Sequence, residues 1–185
     1  DNTVPDFDLL QNVFILCEDL GSVTLETINA QDDYSYVWKN EGTIIVGDLE
    51  TIIVTSSGNY SVMAISEAGC ESLEQIIIVR DSEKATITKD DIIITDDSDN
   101  NSIQVANPNL GNGDYEFAID DEFGVYKNES IFQNLSAGMH TLYVRDKGGC
   151  GIEPFVFSIL GYPKFFTPNE DGVNDFWKIS GFDRI

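Results

Sequence analysis

The sequence predicts an all-β chain built as two tandem β-sandwich modules, and three observations carry that prediction. Apolar residues recur at every second position in short runs; the runs are spaced about ten residues apart, with Gly, Asn, Asp and Ser between them; and part of the first half of the chain is repeated in the second. Period two marks a pleated strand with one buried face, whereas an amphipathic helix would show a period of about 3.6.

The elements follow in order. In YSYVWKN, Tyr34, Tyr36 and Trp38 share one face while Ser35, Val37 and Lys39 share the other, and in YEFAID the face falls on Tyr115, Phe117 and Ile119. Further strands are expected over 13–17, 22–28, 51–55, 60–65, 75–80, 92–95, 102–106, 140–145 and 155–159. SGNYSVMAISEAGC, from Ser57 to Cys70, aligns without gaps on AGMHTLYVRDKGGC, from Ala137 to Cys150, 80 positions later. Such self-similarity is the mark of a duplicated structural unit. The polar stretch from Asp81 to Lys89 reads as the linker, which places module one at 1–81, module two at 82–161 and a differently composed tail at 162–185.

Composition narrows the functional classes. Thirty-three acidic residues against 10 basic ones give a formal net charge of −23, which repels nucleic-acid phosphates. No nucleic acid is expected as a partner. With 42% hydrophobic residues the chain has enough apolar surface to fold. No apolar run reaches the roughly 18 residues that a membrane span needs, and the opening DNTVPDFDLL lacks the basic end and apolar run of a signal peptide, so a mature chain or an internal fragment is expected.

Nothing in the sequence assembles a catalytic set. The one histidine, His140, takes the repeat position of Tyr60 at the start of a strand, where a structural or surface role is expected. There is no nucleophile elbow, no glycine-rich phosphate loop and no metal-ligand spacing of cysteines. The expected chain is therefore not an enzyme and carries no cofactor.

Cys17 ends the first predicted strand and Cys70 follows a late hairpin strand, positions that can face each other across a two-sheet core, so a Cys17–Cys70 disulfide is expected. In the chain-entropy model, closing that loop would contribute roughly 4 kcal/mol. Two buried thiols are the alternative. Cys150 has no second cysteine in its own module and is read as a buried thiol or an intermolecular bridge.

Calcium is the one metal weighed. Asp96, Asp97 and Asp99 crowd a predicted turn, and in the tail Asn169, Asp171 and Asp175 place oxygens around Gly172 in the manner of a calcium loop. In both places a hydrated turn is the competing reading. In the tail, setting Gly172 as the loop's sixth residue puts Thr167 first and Lys178 twelfth, where acids belong.

The tail carries a family resemblance. FFTPNEDGVNDFWKISGF, from Phe165 to Phe182, is similar to the opening of the type B sorting domain, also called the gliding-motility-associated C-terminal domain, of type IX secretion system proteins in Bacteroidetes. Phe165 and Phe166 lead into Thr167, Pro168, Asn169, Asp171, Gly172, Asn174, Asp175 and Trp177, which match the motif. The modules likewise resemble the immunoglobulin-like repeats of gliding-motility adhesins through Ser57, Gly58, Tyr60, Val62, Gly69 and Cys70. The resemblance implies export, recognition by a PorV-type shuttle or a SprF-like barrel in the outer membrane, and residence at the cell surface, associated with the outer membrane or secreted. It implies adhesin-like modules with a surface polysaccharide or protein as ligand. An accessory and sorting region of a secreted polysaccharide-degrading hydrolase, or a carbohydrate-binding module, are the alternatives. The tail is expected to lie outside both sandwich cores, with its aromatics covered by the rest of the sorting domain or by a barrel partner.

Overall fold

A computed structural model describes residues 3–47, 49–96, 100–172 and 175–181 of the chain. The chain divides into two compact units, Asp1–Glu83 and Lys84–Ile185. All regular structure among the described residues is strand, apart from one 3-10 turn at Lys89–Asp91.

In module one, β1 (Asp8–Leu9), β3 (Val23–Ile28) and β6 (Thr51–Val54) form one sheet in the order β1-β3-β6. The other sheet joins β2 (Val13–Cys17), β8 (Gln75–Ser82), β7 (Gly58–Ile65), β4 (Ser35–Asn40) and β5 (Thr43–Gly47) in the order β2-β8-β7-β4-β5. All pairs are antiparallel except β2 with β8, which runs parallel with Val13 opposite Ile78. The alternation read from the sequence becomes the core: Tyr36 and Trp38 of β4 are fully buried with Leu25, Val62 and Ile77, and Tyr34 packs against them. The indole of Trp38 donates to the Leu49 carbonyl at 2.8 Å, so its one polar atom is satisfied inside the core.

Module two repeats the plan with fewer strands. β9 (Ile92–Thr95), β10 (Ser102–Val105) and β12 (Ile131–Gln133) form one sheet, and β11 (Tyr115–Ile119), β13 (Gly138–Asp146) and β14 (Ile152–Ile159) form the other. The core gathers Ile103, Val105, Leu110, Phe117, Leu142, Val144, Phe157 and Ile159, with Tyr115 and Ile119 packed against it. Against the expected strands, β7, β8, β13 and β14 run longer, and β1, β5 and β12 are additional.

The repeated Gly-Cys turn has a common construction. Gly69 and Gly149, at φ +82° and +88°, take the left-handed conformation that favours glycine, and their N–H groups donate to the carbonyls of Ser66 and Asp146. One residue on, the N–H of Cys70 donates to Ser66 Oγ at 3.1 Å and that of Cys150 to Asp146 Oδ2 at 3.0 Å.

The expected cysteine pairing is corrected. Cys17 and Cys150 are the disulfide-bonded cysteines, so the expected Cys17–Cys70 bridge is not the one formed. Cys17 is buried at the end of β2 as expected, but Cys70 lies half-buried in the turn beyond β7 instead of on a core-facing strand position. Cys150, read from the sequence as a thiol or an intermolecular partner, is in disulfide linkage.

None of the described residues after Ile159 belongs to the buried core, yet the tail is not detached from module two. Gly161 and Ser180 exchange backbone hydrogen bonds at 3.0 and 2.7 Å, and Ser158 Oγ donates to the Gly181 carbonyl. Gly181 comes so close that a Cβ there would stand 2.2 Å from the Ile159 carbonyl oxygen. Gly161 and Ser180 are therefore brought together at the end of β14.

Candidate functional site

Two places gather the chemistry-bearing residues: the start of β13, which holds the only histidine, and the tail loop.

His140 is 7% exposed and stacks on Phe157 with ring centroids 5.6 Å apart. Its Nδ1 is 2.6 Å from Asp120 Oδ2, and its Nε2 is 2.9 Å from the Ser136 carbonyl oxygen and 3.5 Å from Ser136 Oγ. Asp120, at φ +61°, is held facing the ring because its other oxygen accepts from the Thr141 N–H at 2.9 Å. Burial of the ring opposes its charge, but the Ser136 carbonyl and the Asp120 carboxylate outweigh burial and raise its pKa above the ordinary histidine value.

Ser136, His140 and Asp120 have the composition of a hydrolytic triad, but Nε2 stands 3.5 Å from Ser136 Oγ and meets the Ser136 carbonyl at 2.9 Å. Both ring nitrogens face acceptors, and the imidazolium satisfies both by donating in each direction. That state has no lone pair to take a proton from the Ser136 hydroxyl. The arrangement clamps the chain instead.

Its counterpart in module one identifies what is clamped. Tyr60 Oη donates to the Ser56 carbonyl at 2.8 Å and lies 3.0 Å from Ser56 Oγ. A tyrosine at the start of this strand, bonding back to the backbone a few residues upstream, is the tyrosine corner of sandwich domains. The strand orders agree with it, since each module sets three strands against a second sheet in which β7 or β13 is central. Both modules are immunoglobulin-like β-sandwiches. His140 fills the corner position of the second, with imidazole N–H in place of phenol O–H.

The tail motif forms an ordered loop around one carboxylate. Asp175 Oδ1 accepts from the N–H groups of Asn169 at 3.1 Å and Glu170 at 2.8 Å, and Oδ2 accepts from Gly172 at 2.7 Å. Asn169 Nδ2 donates to Asp171 Oδ2 at 2.8 Å. Glu170 and Gly172 both take positive φ, at +63° and +83°, so Gly172 supplies a conformation few residues adopt cheaply. Trp177 Nε1 donates to the Pro163 carbonyl at 3.1 Å, and its ring lies 6.4 Å from that of Tyr162. Phe165, Phe166, Phe176 and Trp177 nevertheless remain 67%, 53%, 84% and 53% exposed.

The structure therefore brings Asn169, Asp171, Gly172, Asp175 and Trp177 into one small loop, while Asn174 lies outside the described residues. Each of the four described residues weighed for calcium, Asp96, Asn169, Asp171 and Asp175, turns a side-chain oxygen to a protein donor. Both oxygens of Asp175 are turned to backbone N–H groups, Asp96 Oδ1 accepts from the Leu160 N–H at 3.0 Å, and Asp97 and Asp99 lie outside the described residues. Among the described residues no three His, Cys, Asp or Glu side chains converge to hold a metal.

Sequence reasoning aligned His140 with Tyr60 but did not see the corner. The signal was present as Ser-x-x-x-Tyr at Ser56 to Tyr60 and Ser-x-x-x-His at Ser136 to His140.

No protein-family model matches the chain, and no curated protein matches it. Similar solved structures include fibronectin(III)-like modules of CbhA from Clostridium thermocellum, at 14% identity and TM-score 0.47, covering 84% of this chain and 93% of that one. The FN1–FN3 domains of chicken CNTN1 align at 14% identity and TM-score 0.45 over 85% of this chain and 64% of that one. These likenesses add nothing to what the strand order already establishes.

Proposed function

We propose that this chain is a non-catalytic region of an exported bacterial surface protein, in which two sandwich modules space or present a binding end and the tail acts as part of a sorting signal. One observation supports this reading above the others: the tail loop is rigidly built yet leaves four aromatic side chains exposed. Three backbone N–H groups converge on Asp175, so the loop has a fixed shape, and that shape holds Phe165, Phe166, Phe176 and Trp177 in solvent. Aromatic side chains presented on a fixed frame are what a recognition surface needs, because their ordering cost is already met before binding.

The motif from Phe166 to Trp177 resembles the type B sorting domain, and on that resemblance the receptor is a PorV-type shuttle or a SprF-like barrel. Disulfide linkage at Cys17 and Cys150 agrees with an oxidising compartment. No helix among the described residues is long and apolar enough to cross a membrane. The modules' own ligand is a surface polysaccharide or protein, and no cofactor takes part.

The test is a Phe176→Ala/Trp177→Ala double variant in the full parent protein, scored by surface labelling of intact cells. The expected result is loss of most surface signal with unchanged total protein. Surface levels equal to wild type would overturn the sorting reading.

A further inference from the structure

The loop between β11 and β12 separates the two modules more sharply than any other element. In module one the equivalent strand turns back at once: Asn40 pairs with Thr43 across the two-residue turn Glu41–Gly42, whose φ values of +47° and +78° suit a tight hairpin. In module two the hairpin is pinned only at Phe117 and Lys127, which exchange backbone hydrogen bonds at 2.8 Å, and the chain between them runs out as a loop.

That loop is fixed along its length. At its base, Asp120 donates its N–H to the Thr141 carbonyl and holds His140 and the Thr141 N–H with its carboxylate. Asp121 Oδ1 accepts from the Phe123 N–H at 3.0 Å, and the Asp121 carbonyl accepts from Gly124 at 3.2 Å. Tyr126 Oη donates to the Glu122 carbonyl at 3.0 Å, and the Arg145 guanidinium lies 3.8 Å over the Tyr126 ring.

The tip so held presents Phe123 at 90% and Val125 at 81% exposure. Single exposed apolar residues are ordinary, but two on one stapled turn form a presented pair. The Phe123 side chain thus keeps in solvent an apolar surface whose burial by a partner is favourable. Asp121 and Glu122 stand exposed beside the tip, with Glu129 further along the connection. The occupant is thus an apolar pocket bordered by cations, and an anionic membrane is disfavoured by repulsion.

We propose that the loop from Asp120 to Lys127 is a preformed docking element, whose Phe123 and Val125 seat in an apolar pocket of a protein partner rimmed by Lys or Arg facing Asp121 and Glu122. This stands independently of the sorting reading, because it concerns a different part of module two. A preordered loop gains affinity by sparing the ordering cost, and the flanking acids raise the association rate.

The test is selection of a random-peptide phage library on the immobilised full chain, with counter-selection on Phe123→Ala. Phe123 is exposed, so the variant should melt with wild type, and this is checked first. The proposal expects enriched peptides that combine an apolar or aromatic core with Lys or Arg. Their affinity should fall about tenfold or more on Phe123→Ala, and severalfold on Glu122→Gln or on raising the salt. Failure to enrich Phe123-dependent peptides overturns it, as do enriched peptides without cations. Phe123-dependent binding to phosphatidylcholine vesicles would assign the tip to a lipid surface instead, and Phe123-dependent dimerisation in sedimentation to a second copy of the chain. Either result rejects the proposed partner.

Discussion

Tyr60 and His140 make the same bond in the two modules: Tyr60 Oη donates to the Ser56 carbonyl at 2.8 Å, and His140 Nε2 to the Ser136 carbonyl at 2.9 Å. The substitution keeps the donor and adds a second one, Nδ1, which reaches Asp120 Oδ2 at 2.6 Å. A neutral phenol thereby becomes a titratable clamp joining the end of β11 to the turn before β13.

The clamp makes the stability of module two depend on pH. The folded-state pKa of His140 is raised, so its contribution is fully present below the unfolded value of about 6.5 and is lost as pH rises through the folded value. The unfolding transition of module two should fall in temperature over that window. In His140→Tyr, which copies the corner of module one, this dependence should disappear.

Removing either corner should destabilise its own module. Tyr60→Phe leaves the Ser56 carbonyl without its hydroxyl donor, and a loss of about 1 kcal/mol is expected for module one. His140→Ala should cost module two about 1–3 kcal/mol, since a buried ring and two hydrogen bonds go together. Denaturant titration of each variant measures both.

Asp175 should control the order of the tail without supporting the sandwich. Asp175→Ala removes the acceptor of three N–H groups, so hydrogen exchange at Asn169, Glu170 and Gly172 should accelerate by about tenfold or more. The melting of module two should stay within about 0.5 kcal/mol of wild type.

Peptide mapping without reduction should find Cys17 and Cys150 in disulfide-linked peptides. Alkylation of either in the native protein would contradict the assignment.

The sandwich was legible where one face of a strand is buried, because burial imposes alternation. Tyr36 and Trp38 are core residues for the reason their spacing suggested. Alternation fails at β5, where Ile44 and Ile45 are both exposed on an edge strand, and at β1 and β12, which are too short to show a period. The cysteine pairing was not legible, because the position of Cys70 depends on where β7 ends, and the strand stops at Ile65 before the turn. The tail motif was readable as a pattern. That Asp175 builds the loop around its own carboxylate was not, because Asp beside Asn and Gly reads equally well as a cation site, and only the convergence of three N–H groups separates the two.

The proposed role of the tail is to direct the parent protein to the surface. Protease shaving of intact cells, comparing the parent with a version lacking Phe165 to Trp177, tests it most directly. The intact parent should be cleaved from the cells, while the deleted form stays protected inside with both modules still melting cooperatively. Equal cleavage of the two forms would contradict it.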